Sequence, residues 1–138
     1  MKSKYTGQMD KECIELCDTL NGLKGVKTVE SCCGHLKERY AIWMRCNNFY
    51  SLAILARCID DRYSSGVWEL TAETTDRTEK YFSTVCFVLR SKKTFDNDKQ
   101  MSEAIDELII NIKYWSTSLF YNHLKGEIKW PQRLNYYC

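Results

Sequence analysis

The sequence predicts one α+β domain whose elements follow the order α-β-β-α-β-β-α. Three observations lead to this prediction. Two pairs of short segments have the composition or alternation of strands, three segments carry apolar residues at helical spacing, and no linker or low-complexity stretch divides the 138 residues. Two hairpins in succession indicate one antiparallel sheet with helices packed on it. We expect a single domain over residues 1–138, with a core over 1–125 and an aromatic tail over 126–138.

The first predicted unit is a helix followed by two strands. Apolar residues recur at helical spacing from Met9 to Leu20, and Asn21–Gly22 ends this helix. Segment 26–32 is short and β-branched, which is typical of a strand. Segment 40–46 alternates strictly, which predicts the second strand. Its two faces consist of Tyr40, Ile42, Met44 and Cys46 on one side and Ala41, Trp43 and Arg45 on the other.

The second predicted unit repeats this order. A helix follows a cap at Asn47 or Asn48, a strand spans 67–74, and a polar turn at 76–80 leads to a strongly apolar strand at 81–92. The strand at 67–74 places Trp68, Leu70 and Ala72 on one face. The apolar stripe of the helix is predicted to consist of Leu52, Leu55, Ala56 and Ile59.

A long third helix is predicted from 99 to 124, capped by Asp98 or a neighbour. The fourth strand is apolar on both faces, and such a sheet requires cover on both sides. Two short helices cover one face, so the last helix, a ligand or a partner chain is expected on the other, and we predict a homo-oligomer. The apolar stripe of the last helix is predicted to be Ala104, Ile105, Leu108, Ile112, Trp115 and Leu119.

Composition excludes several classes of function. The net charge is only +2 and both signs are interleaved, whereas a duplex-DNA binder needs a strong basic stripe. No apolar run approaches the roughly 20 residues that span a bilayer, and the N-terminus lacks a signal-peptide segment. We therefore expect no membrane partner and a cytoplasmic location. The eight cysteines should then be reduced, and most should serve as small apolar residues.

The stretch "TVESCCGHLKERYAIWMRC" places two cysteines, a glycine and a histidine between two predicted strands. Zinc is one hypothesis, because Cys32, Cys33, His35 and Cys46 offer thiolates and an imidazole. The spacing is poor, however, since adjacent cysteines of a strand point to opposite faces and no CxxC pair exists. The sequence therefore predicts no metal site and no cofactor.

Thiol catalysis is a second hypothesis for the same stretch. Cys33 and His35 are the ingredients of an activated nucleophile, with Glu30 or Glu38 to orient the imidazole. Residues two apart on a strand seldom reach the required geometry, because a triad draws converging groups from separate elements. We therefore predict no catalytic residues, and the sequence favours a protein that is not an enzyme.

Capture of a small anion is the third hypothesis. Gly34 allows main-chain N–H groups to approach an anion, and basic residues follow it at once. Trp43 supplies a flat surface on which a base can stack, and arginines bind phosphate in a bidentate manner. The opposing interpretation is a merely solvated loop. The predicted ligand-binding residues are Ser31, Cys33, Gly34, His35, Lys37, Arg39, Trp43, Arg45 and Arg90.

The run "GLKGVKTVESCCGHLKERYAIWMRC" resembles a motif of small proteins of Firmicute phages and prophages, in which "G-I-K-T-V-E-S-C-C-G-H-G-K" precedes an "R-I-W-F" strand. The resemblance covers residues 10–115 and is most specific in the hairpin, although Leu36 stands where the family often has glycine. It implies a phage origin. Small phage proteins of this kind include anti-defence sponges, which capture cyclic nucleotide or cyclic ADP-ribose signals as symmetric oligomers.

These observations together predict a phage anti-defence protein in the cytoplasm of an infected bacterium. It would sequester a small anionic, nucleotide-like immune signal without turning it over. One alternative is an enzyme acting on nucleotides or RNA, because "ESCCGH" also resembles the "SSCSGR" segment of wybutosine-synthesis methyltransferases. Another alternative is a protein inhibitor of a host defence factor that uses Trp130 and Tyr136 of the tail.

Overall fold

The computed structural model describes residues 9–79 and 82–117, with the backbone alone for 75–79 and 82–84. The element order confirms the predicted α+β class and the α-β-β-α-β-β-α sequence. The predicted tail over 126–138, with Trp130 and Tyr136, lies outside the described residues. The elements are α1 Lys11–Asn21, β1 Val26–Cys32, β2 Ala41–Cys46, α2 Phe49–Ile59, β3 Trp68–Glu79, β4 Phe82–Ser91 and α3 Asp98–Trp115, with a short 3₁₀ turn at Gly34–Leu36.

The four strands form one antiparallel sheet in the order β1-β2-β4-β3. Each hairpin therefore contributes one edge strand and one central strand, and β2 pairs with β4 in the middle. A bulge interrupts β1 between Thr28 and Glu30. Because the register is continuous on either side of it, each residue can be assigned to one face of the sheet.

A single core lies between one face of the sheet and the helices. α3 packs against α1 and α2, so the described part of the last helix lies on the same side as the two short helices. It does not cover the second face of the sheet. The largest fully buried side chains are Tyr40, Leu16, Leu20, Ile42, Met44, Ile54, Leu55, Leu89, Leu108 and Ile112.

The helix caps follow the sequence closely. Asn48 begins α2 and accepts hydrogen bonds from the N–H groups of Tyr50 and Ser51. Asn97 begins α3 and accepts from the N–H of Gln100 at 2.8 Å, so the cap is a neighbour of Asp98. Such caps satisfy N–H groups that have no partner within the helix. The stripe of α3 is confirmed at Ala104, Ile105, Leu108 and Ile112, and Leu119 falls outside the described residues.

The predicted stripe of α2 is confirmed at Leu55 and is wrong at Ala56. Ala56 is exposed, and Leu52 and Ile59 are only partly buried. Relative to the prediction, α2 is rotated so that Ser51 faces the core. The Ser51 hydroxyl donates to the Lys24 carbonyl at 2.5 Å, which holds this polar residue inward. The buried residues of α2 are Ser51, Ile54, Leu55 and Cys58.

The turn predicted at 76–80 is also wrong for residues 76–79, because β3 continues to Glu79 and pairs it with Phe82. The polar composition of this segment suggested a turn, but backbone pairing extends the hairpin regardless of side chain. Among the described helices, none is both long and apolar enough to cross a bilayer.

Candidate functional site

The turn between β1 and β2 is left-handed. Gly34, His35 and Leu36 have φ angles of 77°, 52° and 63°, whereas Cys33 before them is in the right-handed region at φ −75°. The N–H groups of Lys37 and Glu38 both donate to the Gly34 carbonyl at 2.9 Å, which closes the turn. This tight reversal returns the His35 side chain towards the start of the turn.

Gly34 is required by both the conformation and the space of this turn. A Cβ atom there would lie 3.0 Å from the Arg39 carbonyl oxygen and 3.1 Å from its carbon. Both neighbours are backbone atoms, which cannot rotate away. A left-handed φ is also costly for any residue with a side chain. The glycine therefore shapes the turn, whatever the turn binds.

Asp10, which lies immediately before α1, reaches this turn from 23 residues away in the sequence. Its Oδ2 atom accepts the Cys33 N–H at 2.9 Å and lies 3.6 Å from His35 Nε2. The hydrogen bond from the Cys33 N–H lowers the pKa of the Asp10 carboxyl below its ordinary value and outweighs the opposing effect of partial burial. The turn therefore contains an ionised carboxylate that no local sequence pattern indicated.

The Asp10 carboxylate occupies a position that the sequence assigned to an external anion. The sequence placed phosphates against the N–H groups around Gly34. In the structure the Cys33 N–H donates to Asp10, and the Gly34 N–H donates to Cys32 Sγ at 3.4 Å. An external phosphate would have to displace the Asp10 carboxylate, against its negative charge, to reach the same groups.

Cys33 and His35 lie closer together than the sequence suggested. Cys33 Sγ is 3.5 Å from His35 Nδ1, and the carboxylate near the ring is Asp10 rather than Glu30 or Glu38. The thiol is buried, however, at 3% exposure, and burial raises the pKa of Cys33 to about 11. A thiol that stays protonated near neutral pH is a weak nucleophile.

A second group of predicted residues lies on the sheet face opposite the helices. Trp43 and Arg45 alternate with the core residues of β2, and Arg90 projects from β4 on the same face. The Arg90 guanidinium carbon is 5.9 Å from the centre of the Trp43 ring, within range of a cation–π interaction. Arg90 also donates to Glu73 at 3.1 Å. We call Trp43, Arg45 and Arg90 the tryptophan face.

Acidic residues interleave with these cations. In the strand register Glu30 is paired with Trp43, and Glu69 with Arg90. Arg39, at the entrance to β2, donates to Glu69 at 2.8 Å and so joins the rim of this face. The face thus offers arginines and carboxylates around one indole ring, and it is not a purely basic patch.

The nine predicted ligand residues therefore do not form one site. Ser31 is paired with Ile42, so it lies on the core side of the sheet. Lys37 is exposed in the turn, together with His35. An open groove lined by residues that include Val67, Lys92 and Glu107 contains none of the nine. The residues that the structure brings together are Cys33, Gly34 and His35 at the turn, and Trp43, Arg45 and Arg90 on the tryptophan face.

The turn also assembles a set of possible metal ligands that the sequence missed. One ligand atom each from Asp10, Cys32 and His35 lies within 4.8 Å of the others. The four-residue set considered from the sequence does not assemble. Cys46 is paired with Val26 at the far end of the hairpin, and Cys33 points into the core.

Comparison of the chain with protein-family models, with curated proteins and with solved structures gives no match. The resemblance to phage proteins therefore stays a prediction. Two residue groups carry chemistry that can serve a function, the turn and the tryptophan face.

Proposed function

We propose that the protein binds a small nucleotide-like anion on the tryptophan face and holds it without chemical change. The observation that supports this proposal is the position of the Arg90 guanidinium, 5.9 Å from the centre of the Trp43 ring, with Arg45 two residues along the same strand as Trp43. An aromatic surface binds a base by stacking, at about 1–3 kcal/mol per base. Each guanidinium group can bind phosphate oxygens through paired hydrogen bonds. Arg90 pairs with Ala41, so the two arginines lie on either side of Trp43 along β2.

The mixed charge of the face favours a nucleotide over inorganic phosphate. Glu30, Glu69 and Glu73 would repel a bare anion, but carboxylates accept hydrogen bonds from sugar hydroxyls and exocyclic amines. A nucleotide presents those donors together with its phosphates. Binding by the face should therefore depend on the base and sugar as well as on the charge.

Binding without turnover is supported by the state of the cysteine best placed for catalysis. Cys33 is buried with a pKa near 11, and it lies in the turn rather than beside Trp43. A ligand on the tryptophan face is thus separated from that thiol. The biological role that fits is sequestration of a cyclic nucleotide or cyclic ADP-ribose signal by a phage protein in the infected host cytoplasm, as a homo-oligomer.

The test is a binding experiment with chemical analysis of the recovered ligand. Thermal shift against cyclic di- and trinucleotides, cyclic ADP-ribose isomers and inorganic phosphate should reveal one nucleotide class, because a ligand at 100 times its Kd adds about 2.7 kcal/mol of stability. Heat denaturation should then release that ligand intact. Trp43→Ala and Arg90→Ala should abolish the shift, whereas Arg62→Ala should not, since Arg62 pairs with Asp60 outside this face.

Two results would contradict the proposal. Inorganic phosphate shifting the melting temperature as much as any nucleotide would show that the base and sugar are not recognised. No shift with any ligand would remove the tryptophan face as a nucleotide site and favour a protein partner.

An enzyme is the second candidate, and one specific observation favours it. Cys33 Sγ, the His35 ring and Asp10 Oδ2 form a chain with separations of 3.5 Å and 3.6 Å, the connectivity of a thiol, base and orienting acid. If these three groups act together, a nucleotide that reaches the turn should be recovered as product. Cys33→Ser would then abolish conversion while leaving Trp43-dependent binding in place.

A further inference from the structure

The side chains at the β1–β2 turn form a site separate from the tryptophan face. We propose that Asp10, Cys32 and His35 bind one divalent transition-metal ion of the zinc class. Their ligand atoms lie within 4.8 Å of one another, and they come from two separate parts of the chain. The sequence predicted no metal here, because adjacent cysteines of a strand point to opposite faces and no CxxC pair exists. Asp10 was not among the ligands considered.

The distances suit a metal ion with small side-chain adjustments. Bonds of about 2.1 Å in tetrahedral geometry place two ligand atoms about 3.4 Å apart. His35 Nε2 and Asp10 Oδ2 are already 3.6 Å apart. Cys32 Sγ lies within 4.8 Å of the other two ligand atoms and must move closer to them to bind the same ion. The required movement is smaller than for nitrogen or oxygen, because a metal–thiolate bond is longer.

Backbone N–H groups hold two of the three ligands in place. Asp10 Oδ2 accepts the Cys33 N–H at 2.9 Å, and Cys32 Sγ accepts the Gly34 N–H at 3.4 Å. Hydrogen bonds of this kind orient metal ligands and stabilise their charge, and their loss typically weakens metal binding about 10–100-fold. The left-handed turn thus supplies partners beyond the ligands themselves.

The conformation of His35 aims its ring at the same point. Its φ of 52° is uncommon for a residue with a side chain and marks the turn as constrained. Nε2 faces Asp10, while Nδ1 lies 3.5 Å from Cys33 Sγ. A proton on Nδ1 directed at that sulfur leaves the Nε2 lone pair available for a metal ion.

The donor set indicates the class of metal. Thiolate, imidazole and carboxylate together suit Zn²⁺ and Co²⁺, whereas Ca²⁺ and Mg²⁺ take oxygen ligands. Three protein ligands leave the fourth tetrahedral position for water or an anion. The site is also reachable from solvent, because the side chains of His35 and Asp10 are 68% and 26% exposed.

The test is a metal titration of the reduced full-length chain after treatment with a chelator. We expect one Co²⁺ per chain with the intense near-ultraviolet absorption of a thiolate–cobalt bond, and competition by Zn²⁺ should remove that absorption. Cys32→Ser and His35→Gln should weaken binding by about 100-fold or more, beyond the loss seen for outer partners. Cys46→Ser is the matched control and should bind as the wild type, since it pairs at the other end of the hairpin.

Absence of the thiolate–cobalt absorption in the wild-type chain would overturn the proposal. Equal binding by the Cys32→Ser, His35→Gln and wild-type chains would also overturn it, because the metal would then lie elsewhere. The outcome is independent of the nucleotide proposal. Trp43→Ala should leave the cobalt absorption intact, and Cys32→Ser should leave the nucleotide-induced thermal shift intact.

A second measurement does not depend on how any variant folds. In the wild-type chain, Zn²⁺ should protect Cys32 from iodoacetamide while Cys46, which is exposed to a similar degree, stays reactive. Peptide mapping by mass spectrometry reports each cysteine separately. Protection of both residues, or of neither, would contradict a zinc ion bound by Cys32.

Discussion

Gly34, His35 and Leu36 determine the conformation of the β1–β2 turn, because each has a left-handed φ. Glycine adopts this conformation freely, whereas each of the other two is strained by of order 1–3 kcal/mol. Such strain persists only where surrounding contacts hold it. Here the contacts are the two hydrogen bonds to the Gly34 carbonyl and the hydrogen bond from the Cys33 N–H to Asp10, which lies just before α1.

Gly34→Ala should destabilise the protein by about 1–3 kcal/mol, since a Cβ atom adds left-handed strain and meets the Arg39 backbone at 3.0 Å. Urea denaturation followed by circular dichroism measures the change. Gly22→Ala is the control. Its φ is −74°, so it lacks the left-handed penalty and should cost less. An equal or smaller loss for Gly34→Ala would contradict this account of the turn.

Glu73→Gln should increase nucleotide affinity. Glu73 accepts a hydrogen bond from Arg90 at 3.1 Å, so an incoming phosphate competes with it. A surface pair contributes about 0.2–1 kcal/mol. This pair is partly buried, with Arg90 17% exposed and Glu73 42% exposed, and its removal should strengthen binding by up to about fivefold in isothermal titration calorimetry. Glu103→Gln makes the same charge change on α3 and should have no effect. Unchanged or weaker binding by Glu73→Gln would argue against Arg90 as a phosphate ligand.

The buried cysteines should resist alkylation at pH 8. Burial raises the pKa of Cys13 and Cys58 to about 12 and that of Cys17 to about 11, which leaves roughly one thiolate in a thousand or fewer. Cys32 and Cys46 are partly exposed and should react first. Peptide mapping after a short iodoacetamide pulse tests this order. Early modification of Cys58 would show that α2 opens in solution.

At the scale of elements, an aromatic cluster connects the two halves of the fold. The Tyr40 ring meets Trp68 edge-to-face at 5.3 Å, and both contact Phe95. The Tyr40 hydroxyl donates to the Glu12 carbonyl of α1 at 3.1 Å. These contacts connect the start of β2 to β3, to the loop before α3 and to α1.

Tyr40→Ala should cost about 3–5 kcal/mol, because it empties a fully buried aromatic position. Tyr40→Phe keeps the ring and loses only the hydroxyl bond, so it should cost about 1 kcal/mol. Denaturant midpoints of the two variants separate ring packing from hydrogen bonding. Similar losses for both would show that the hydroxyl, rather than the ring, stabilises this junction.

The elements were predictable because their signals are local. Alternation in 40–46 and the β-branched run at 26–32 identified the first hairpin, and Asn48 capped α2 as expected. The burial of Ser51 in α2 was not predictable, because the hydrogen bond from its hydroxyl to the Lys24 carbonyl is a tertiary contact. The same limit applies to the site. Asp10 joins the turn only through the fold, so the ligand set of Asp10, Cys32 and His35 has no signature in sequence spacing.

At the scale of the whole molecule, the oligomer predicted from the two-sided sheet stays a prediction. The described part of α3 lies on the helical side. On the opposite face, Ala41, Cys86 and Val88 are nevertheless buried within the single chain. We expect light scattering to give at least twice the chain mass of 16.3 kDa. A mass of one chain at micromolar concentration would contradict this expectation and leave each tryptophan face to act alone.

The strand order also has a consequence for the route of folding. Both hairpins join neighbours in sequence, whereas the β2–β4 ladder joins the two halves of the chain and pairs Trp43 with Val88. Closing distant segments is the slow step in such topologies, because chain entropy is lost before contacts form. Arg90 and Trp43 come into contact only when the β2–β4 ladder has formed. The proposed ligand surface therefore forms late in folding, and a partly folded chain would lack it.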